Sequence, residues 1–398
     1  MAIIVFNNAL SVGFYIGDLY FVALGSIFSV LFFYSLKESK KINMHMVFLI
    51  IACLTSILIN DVPPLFKPYV RFLLFVMILY LVGPLIISTS LMSFRFKLFS
   101  LLNKINLVIV VLSLLGLVTG VYRGVAVNWM GHTRIDFTGL YNHSMLLGPM
   151  AGISVLTSFF YYFRKRNNKK QRLLLVVCVF FSFITVVAAG SRGALIATVL
   201  GSLFFLYKIY QGRLSKYLST VLVIVAALTI SFPLWEDKAD FLNSKMDRDA
   251  VDDPFDSRTT KWNQRIVEFQ SSPIFGIGFA SIDINGLDDY NAITGTIEPG
   301  SSWLTILSMT GLFGLLPILF LFLRNLLFMI KYDRNRNYTS FVGGLLILVT
   351  VHMIIEGYVF ASGAFLFFYL WLLLGIIEGY LSIEKINKIN NYELEKFK

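Results

Sequence analysis

The sequence predicts an all-α polytopic membrane protein of about twelve transmembrane helices, with eleven as the alternative count. Three observations predict it. Of 398 residues, 57% are hydrophobic and 16% aromatic, and only 14% are charged. Soluble domains carry nearer a quarter charged residues, so this much apolar surface needs lipid to cover it. Apolar runs near 18 residues or longer recur along the whole chain, the length a helix needs to cross a bilayer. Finally, the basic residues gather in every second connecting segment, as topology demands of cytoplasmic loops.

The apolar runs fall at about 18–36, 44–60, 68–93, 105–121, 141–162, 173–190, 192–210, 217–234, 301–323, 339–358 and 361–379. Residues 1–16 are also apolar, but the run is short and Asn7 and Asn8 interrupt it. This segment is expected to be the twelfth span, with a half-inserted segment as the alternative. Segments 37–43, 94–104, 163–172, 208–216, 324–337 and 385–398 hold 23 of the 34 Lys and Arg. They mark the cytoplasmic side, with 385–398 as a cytoplasmic tail. The N-terminus is inside if 1–16 spans and outside if it does not.

The whole chain, 1–398, reads as one integral membrane domain. Its outer side carries a loop near 61–67, another at 122–140, a tight turn at Gly190–Gly193 and a long loop at 235–300. The long loop holds 13 of the 23 acidic residues and six basic ones, together with Trp235, Phe241, Phe255, Trp262 and Phe269. Loops of this length are functional or disordered, and the aromatic residues argue for a folded feature carrying short interfacial helices.

Composition also narrows the function classes. The net charge of +11 is accounted for by the basic loops, so no nucleic-acid partner is implied. Cys53 and Cys178 lie in apolar runs, and His45, His132, His143 and His352 are scattered. Neither a structural disulfide nor a metal site is expected. Phosphate-cradling loops, nucleophile elbows and zinc signatures are missing from the sequence. Nucleotide-driven transport and metal hydrolysis therefore have no local support.

Several constellations could carry chemistry. Arg192 follows Gly190-Ser191 at a membrane boundary, where an Arg can simply snorkel. Alternatively, free N–H groups at a helix start and a planar guanidinium together suit phosphate. In the helical stretch 256–269, Arg258, Lys261 and Arg265 share one stripe beside Trp262, Ile266 and Phe269. The stripe either faces water from a membrane-resting helix or grips a lipid-linked phosphate. Glu298 lies just before Ser301-Ser302-Trp303, where a carboxylate serves as a general base or balances a helix dipole. Asn142 and His143 open a span, as caps or as polar contacts. His352 and Glu356 lie four apart in a late span, where ionisable groups are costly and are usually functional or paired.

These motifs, in this order, resemble the O-antigen ligase and polymerase superfamily of bacterial membrane glycosyltransferases. The matching stretches are 139–143, 189–194, Arg258–Trp262 with Arg265, 272–278, 301–304 and 310–314. The resemblance implies a GT-C-like fold in the bacterial plasma (inner) membrane, with the C-terminus cytoplasmic. It implies a glycan carried on undecaprenyl diphosphate and transferred to a hydroxyl on the outer face, without cofactor or metal. Arg192, and Arg258 or Arg265, match the arginines that neutralise the diphosphate. Arg265, Lys261, Asn142, His143, Ser301, His352 and Glu356 become substrate contacts, and either Glu298 becomes the base or the base lies elsewhere. A flippase and a chain-length regulator are the implied companion proteins. Gly300 departs from the family pattern, in which a histidine precedes the Ser-Ser-Trp-Leu-like stretch. The expected activity is polymerisation of a surface polysaccharide (O-antigen, capsule or exopolysaccharide). The alternatives are a ligase for finished glycan and, in another class, a flippase for lipid-linked sugars.

Overall fold

The computed structural model describes residues 1–11, 17, 19–120, 124–127, 133–164, 168–234, 236, 256–283, 290–291, 296–297, 300–332 and 335–396. The chain is an all-α polytopic membrane protein. Among the described residues, nine helical segments are long and apolar enough to cross a bilayer, and two further apolar helices, Leu19–Ser35 and Met44–Ile59, are slightly shorter.

In chain order the helices are α1 (Ala2–Asn7), α2 (Leu19–Ser35), α3 (Met44–Ile59), α4 (Pro68–Leu81), α5 (Thr89–Val118), α6 (Ser144–Tyr162) and α7 (Lys169–Ala188). They continue as α8 (Arg192–Ile209), α9 (Leu214–Ser231), α10 (Asp256–Ser271), α11 (Ser302–Lys331), α12 (Arg336–Ile355) and α13 (Phe365–Lys396). Strands are confined to three two-stranded pairings. Successive spans alternate between a basic end, carrying Arg164, Lys169 and Arg213, and the opposite end, called here the site end.

Of the expected first span, 1–16, residues 12–16 lie outside the described residues. The six-residue α1 rises about 9 Å, far short of a hydrocarbon core of about 30 Å. Its segment sits at the site end instead. Asn142 N–H donates to Ala9 O, Ser11 N–H donates to Leu140 O, and Asn8 Nδ2 donates to Gly363 O at 2.9 Å. The nine long helices and the two shorter ones fall at the other eleven expected spans, and residues 1–11 lie at the face away from the basic loops.

The expected span 68–93 is also divided. Its α4 stops at Leu81, and α5 begins at Thr89, so the basic stretch 94–104 lies inside a helix rather than in a loop. Gly83-Pro84 is the cause, because proline breaks the helical ladder. The break orphans carbonyls inside apolar surroundings, which is costly unless a donor reaches them. Arg95 supplies the donors: fully buried, it donates to Leu81 O at 3.0 Å, Ile86 O at 2.9 Å and Tyr80 O at 2.7 Å. At the other end of the chain, the expected tail prolongs α13 as helix to Lys396.

A second break shapes the site end. Helix α11 is interrupted at Gly311, whose φ of +62° is left-handed. The segment 273–277 fills the break. Ile277 N–H donates to Ser308 O at 2.8 Å, while Leu312 and Phe313 N–H donate to Pro273 O and Ile274 O at 2.9 and 3.1 Å. Asn60 then donates to Gly276 O at 2.9 Å, tying the segment to α3. Irregular backbone among spans is tolerated where its groups are satisfied in this way. The stretches 272–278 and 310–314 are therefore two halves of one suture.

Candidate functional site

Four helix ends and one connecting helix meet at the site end. Helix α8 starts after Gly190 (φ +63°), with Ser191 Oγ capping Ala194 N–H. A Cβ on Gly193 would lie 2.7 Å from Ile355 Cδ1, and one on Gly148 would lie 2.9 Å from Ala194 Cβ. The first turn of α8 is thus wedged between α6 and the last turn of α12. Arg192, exposed on that turn, stands beside the end of α12.

The end of α12 is held from above. Arg258 of α10 places Nη2 2.7 Å from Glu356 Oε1, and its Nη1 donates to Ile355 O. One guanidinium thus serves a helix-end carbonyl and a carboxylate together, as its planar fork allows. The two side chains keep 31% and 20% exposure, so the pair borders an open surface.

The start of α11 completes the junction. Ser302 Oγ donates to Glu356 O at 2.6 Å and accepts from Tyr358 N–H at 2.9 Å. Ser301 caps α11 through Leu304 N–H and is only 2% exposed. Ser301 Oγ also lies 3.4 Å from Met353 O of α12, to which it donates. Trp262 Nε1 donates to Gly300 O at 3.2 Å, which docks α10 on the same turn and brings Lys261 there.

The α10 stripe is inverted relative to the water-facing alternative. Arg258 and Lys261 turn toward the protein, and Ile266 and Val267 stand outside. Arg265 lies deeper than Arg258 and Lys261. It is fully buried, with Nη1 2.9 Å from Glu268 Oε2. Glu268 Oε1 accepts from Asp283 N–H at 2.9 Å. Burial raises the Glu268 carboxyl above its ordinary range, against the opposing pull of Arg265. Glu268 thus links Arg265 within α10 to the segment that follows the helix.

The remaining candidates divide. His143 is exposed and caps α6, its Nδ1 accepting from Met145 N–H at 3.1 Å. Asn142 tethers the N-terminal segment through Asn8 O. His352 lies one turn below Glu356, 1% exposed, its ring centroid 5.7 Å from that of Tyr358. Neither ring nitrogen has a hydrogen-bond partner among the described residues. Glu298 lies outside the described residues. Glu268, Asn60 and the suture at Gly311 were not anticipated. The i,i+3 spacing of Arg265 and Glu268 was the one local signal available.

The chemistry of this face is one-sided. The N-termini of α6, α8 and α11 carry positive partial charge. Arg192, Arg258 and Lys261 add full charges, with Glu356 as the carboxylate paired among them. Such an arrangement suits a polyanion.

Residues 177–319 match the protein-family model described as O-Antigen ligase. A search of curated proteins found no match. The matched region includes Arg192, Arg258, Lys261 and Ser301, and it leaves Asn142, His143, His352 and Glu356 outside.

Proposed function

From the match of residues 177–319 to the O-Antigen ligase family model, we propose a polysaccharide polymerase acting on lipid-linked repeat units. The donor is a glycan on a polyprenyl diphosphate of the undecaprenyl type. The acceptor hydroxyl oxygen attacks the anomeric carbon, the bond to the diphosphate oxygen breaks, and the leaving diphosphate takes the electron pair. Arg192 and Arg258 meet its developing charge, the step at which electrostatic help is worth most. Lys261 adds charge at the same turn. Glu356 fixes the Arg258 fork, and Glu298 is the proposed acceptor of the hydroxyl proton. The observation that carries this reading is the Arg258–Glu356 pair at 2.7 Å beside the Arg192 turn.

The test is a purified enzyme given lipid-diphosphate repeat units without added metal. A ladder of products is expected. One discrete product, formed only when a separate core, protein or wall acceptor is present, would identify a ligase instead. Full polymerising activity in both Arg192→Ala and Arg258→Ala would overturn the mechanism.

A further inference from the structure

At the basic end, a cavity of about 410 Å³ opens between α5, α6 and α12. It is separate from the candidate site: Tyr338 lines it and Ile355 reaches the site, 17 residues farther along α12. At helical rise that is about 25 Å, most of a bilayer core.

The lining is two-sided in character. Phe99, Phe160 and Phe341 give an aromatic floor, with Phe160 and Phe341 stacked at 4.7 Å. Lys104 and Arg164 stand exposed at the lip, and among the described residues no acidic side chain lines the cavity. Asn337 Nδ2 donates to Phe160 O at 3.2 Å. Its Oδ1 and the Tyr338 hydroxyl are buried and have no hydrogen-bond partner among the described residues. Buried polar atoms are nearly always satisfied, so two orphans on one cavity wall call for a partner. That partner must donate to Asn337 Oδ1, accept from Tyr338, carry negative charge for the lip and rest against aromatic rings.

We propose that this cavity binds the phosphoglycerol headgroup of an anionic phospholipid from the leaflet at the basic end. The phosphate meets Lys104, Arg164 and the Tyr338 hydroxyl, a glycerol hydroxyl donates to Asn337, and the upper lipid chain covers the phenylalanines. Basic pockets between spans at the cytoplasmic side suit such headgroups.

Native mass spectrometry of the full detergent-purified chain tests this. Phosphatidylglycerol and phosphatidylcholine with identical acyl chains are the probes, with glycerol 3-phosphate as the soluble arm. Retention of phosphatidylglycerol about tenfold above phosphatidylcholine is expected. Lys104→Ala with Arg164→Ala should abolish that preference. Tyr338→Phe should weaken phosphatidylglycerol retention several-fold without shifting the lipid-free melting temperature. Equal retention of both lipids, or an undiminished preference in the double variant, would overturn the proposal. Binding of glycerol 3-phosphate as tight as that of the lipid would make the ligand a soluble phosphate ester and equally overturn the lipid assignment.

Discussion

Lys261 and Gly300 approach so closely that a Cβ built on Gly300 would lie 3.0 Å from the Lys261 Cβ, in a backbone already at φ +73°. This contact accounts for the glycine where the family resemblance leads one to expect a histidine. An L-residue in the left-handed region costs about 1–2 kcal/mol, and the added side chain would also push α10, with Trp262, off the Gly300 turn. Gly300→His is therefore expected to lower activity rather than enhance it. The loss should accompany a fall in melting temperature. A gain in rate with unchanged stability would show that the position awaits a base.

Arg258 bonds two acceptors at once, Ile355 O and Glu356 Oε1. A point charge on a flexible stem cannot reproduce that fork. Arg258→Ala is expected to cut the transfer rate by about a hundredfold or more, and Arg258→Lys should recover little of it. Glu356→Gln keeps an acceptor for the guanidinium, so its loss should be smaller. Comparing kcat and KM separates the roles. If Arg258 acts on the leaving group, kcat falls in both arginine variants.

The spans were legible because lipid imposes a coarse rule, apolar length, that needs no knowledge of neighbours. The rule failed where apolar composition outlasted the helix. Residues 82–88 are as greasy as α4, and only Gly83-Pro84 signalled the break. At the start of the chain, too, the described helix α1 is only six residues long. The site was legible residue by residue but not as pairs. Arg258 and Glu356 are 98 positions apart, and no local periodicity connects them. The burial of Arg265 was not legible because spacing on a helix gives a stripe and not its direction. The partner that turned it inward, Glu268, lies on that very stripe.

The suture across α11 gives a stability prediction. A Cβ on Gly311 would lie 2.3 Å from Ile274 O, and one on Gly276 would lie 2.4 Å from Thr310 N. Both residues have positive φ. These contacts are with backbone, which cannot swing away as a side chain can. Gly311→Ala and Gly276→Ala should each cost several kcal/mol, in the range of severe overpacking combined with backbone strain. Gly25 in α2 has nothing within 4 Å of an added Cβ. Gly25→Ala should be neutral or slightly stabilising by helix propensity. Detergent melting curves of the three variants provide the comparison, and equal midpoints would refute the suture.

The buried Arg265–Glu268 pair makes stability depend on pH in a defined direction. The folded-state carboxyl of Glu268 is raised, chiefly by burial. The fold therefore prefers the protonated acid more than the unfolded chain does. The contribution of Glu268 is most favourable below the ordinary carboxylate pKa of roughly 4.3. It is lost as pH rises through the raised value. Glu268→Gln cannot titrate, and its uncompensated Arg265 adds an offset that does not vary over this range. The difference in melting temperature, wild type minus Glu268→Gln, should thus decline across the interval between the two pKa values and flatten above it. Arg265→Leu alone leaves the acid buried without its counter-charge and should cost roughly 3–5 kcal/mol. Replacing both residues by leucine should cost less than that single change, since a buried ion pair is often replaceable by apolar groups of similar volume. A double variant less stable than Arg265→Leu would mean that Glu268 carries a role of its own, through the Asp283 N–H it holds at 2.9 Å.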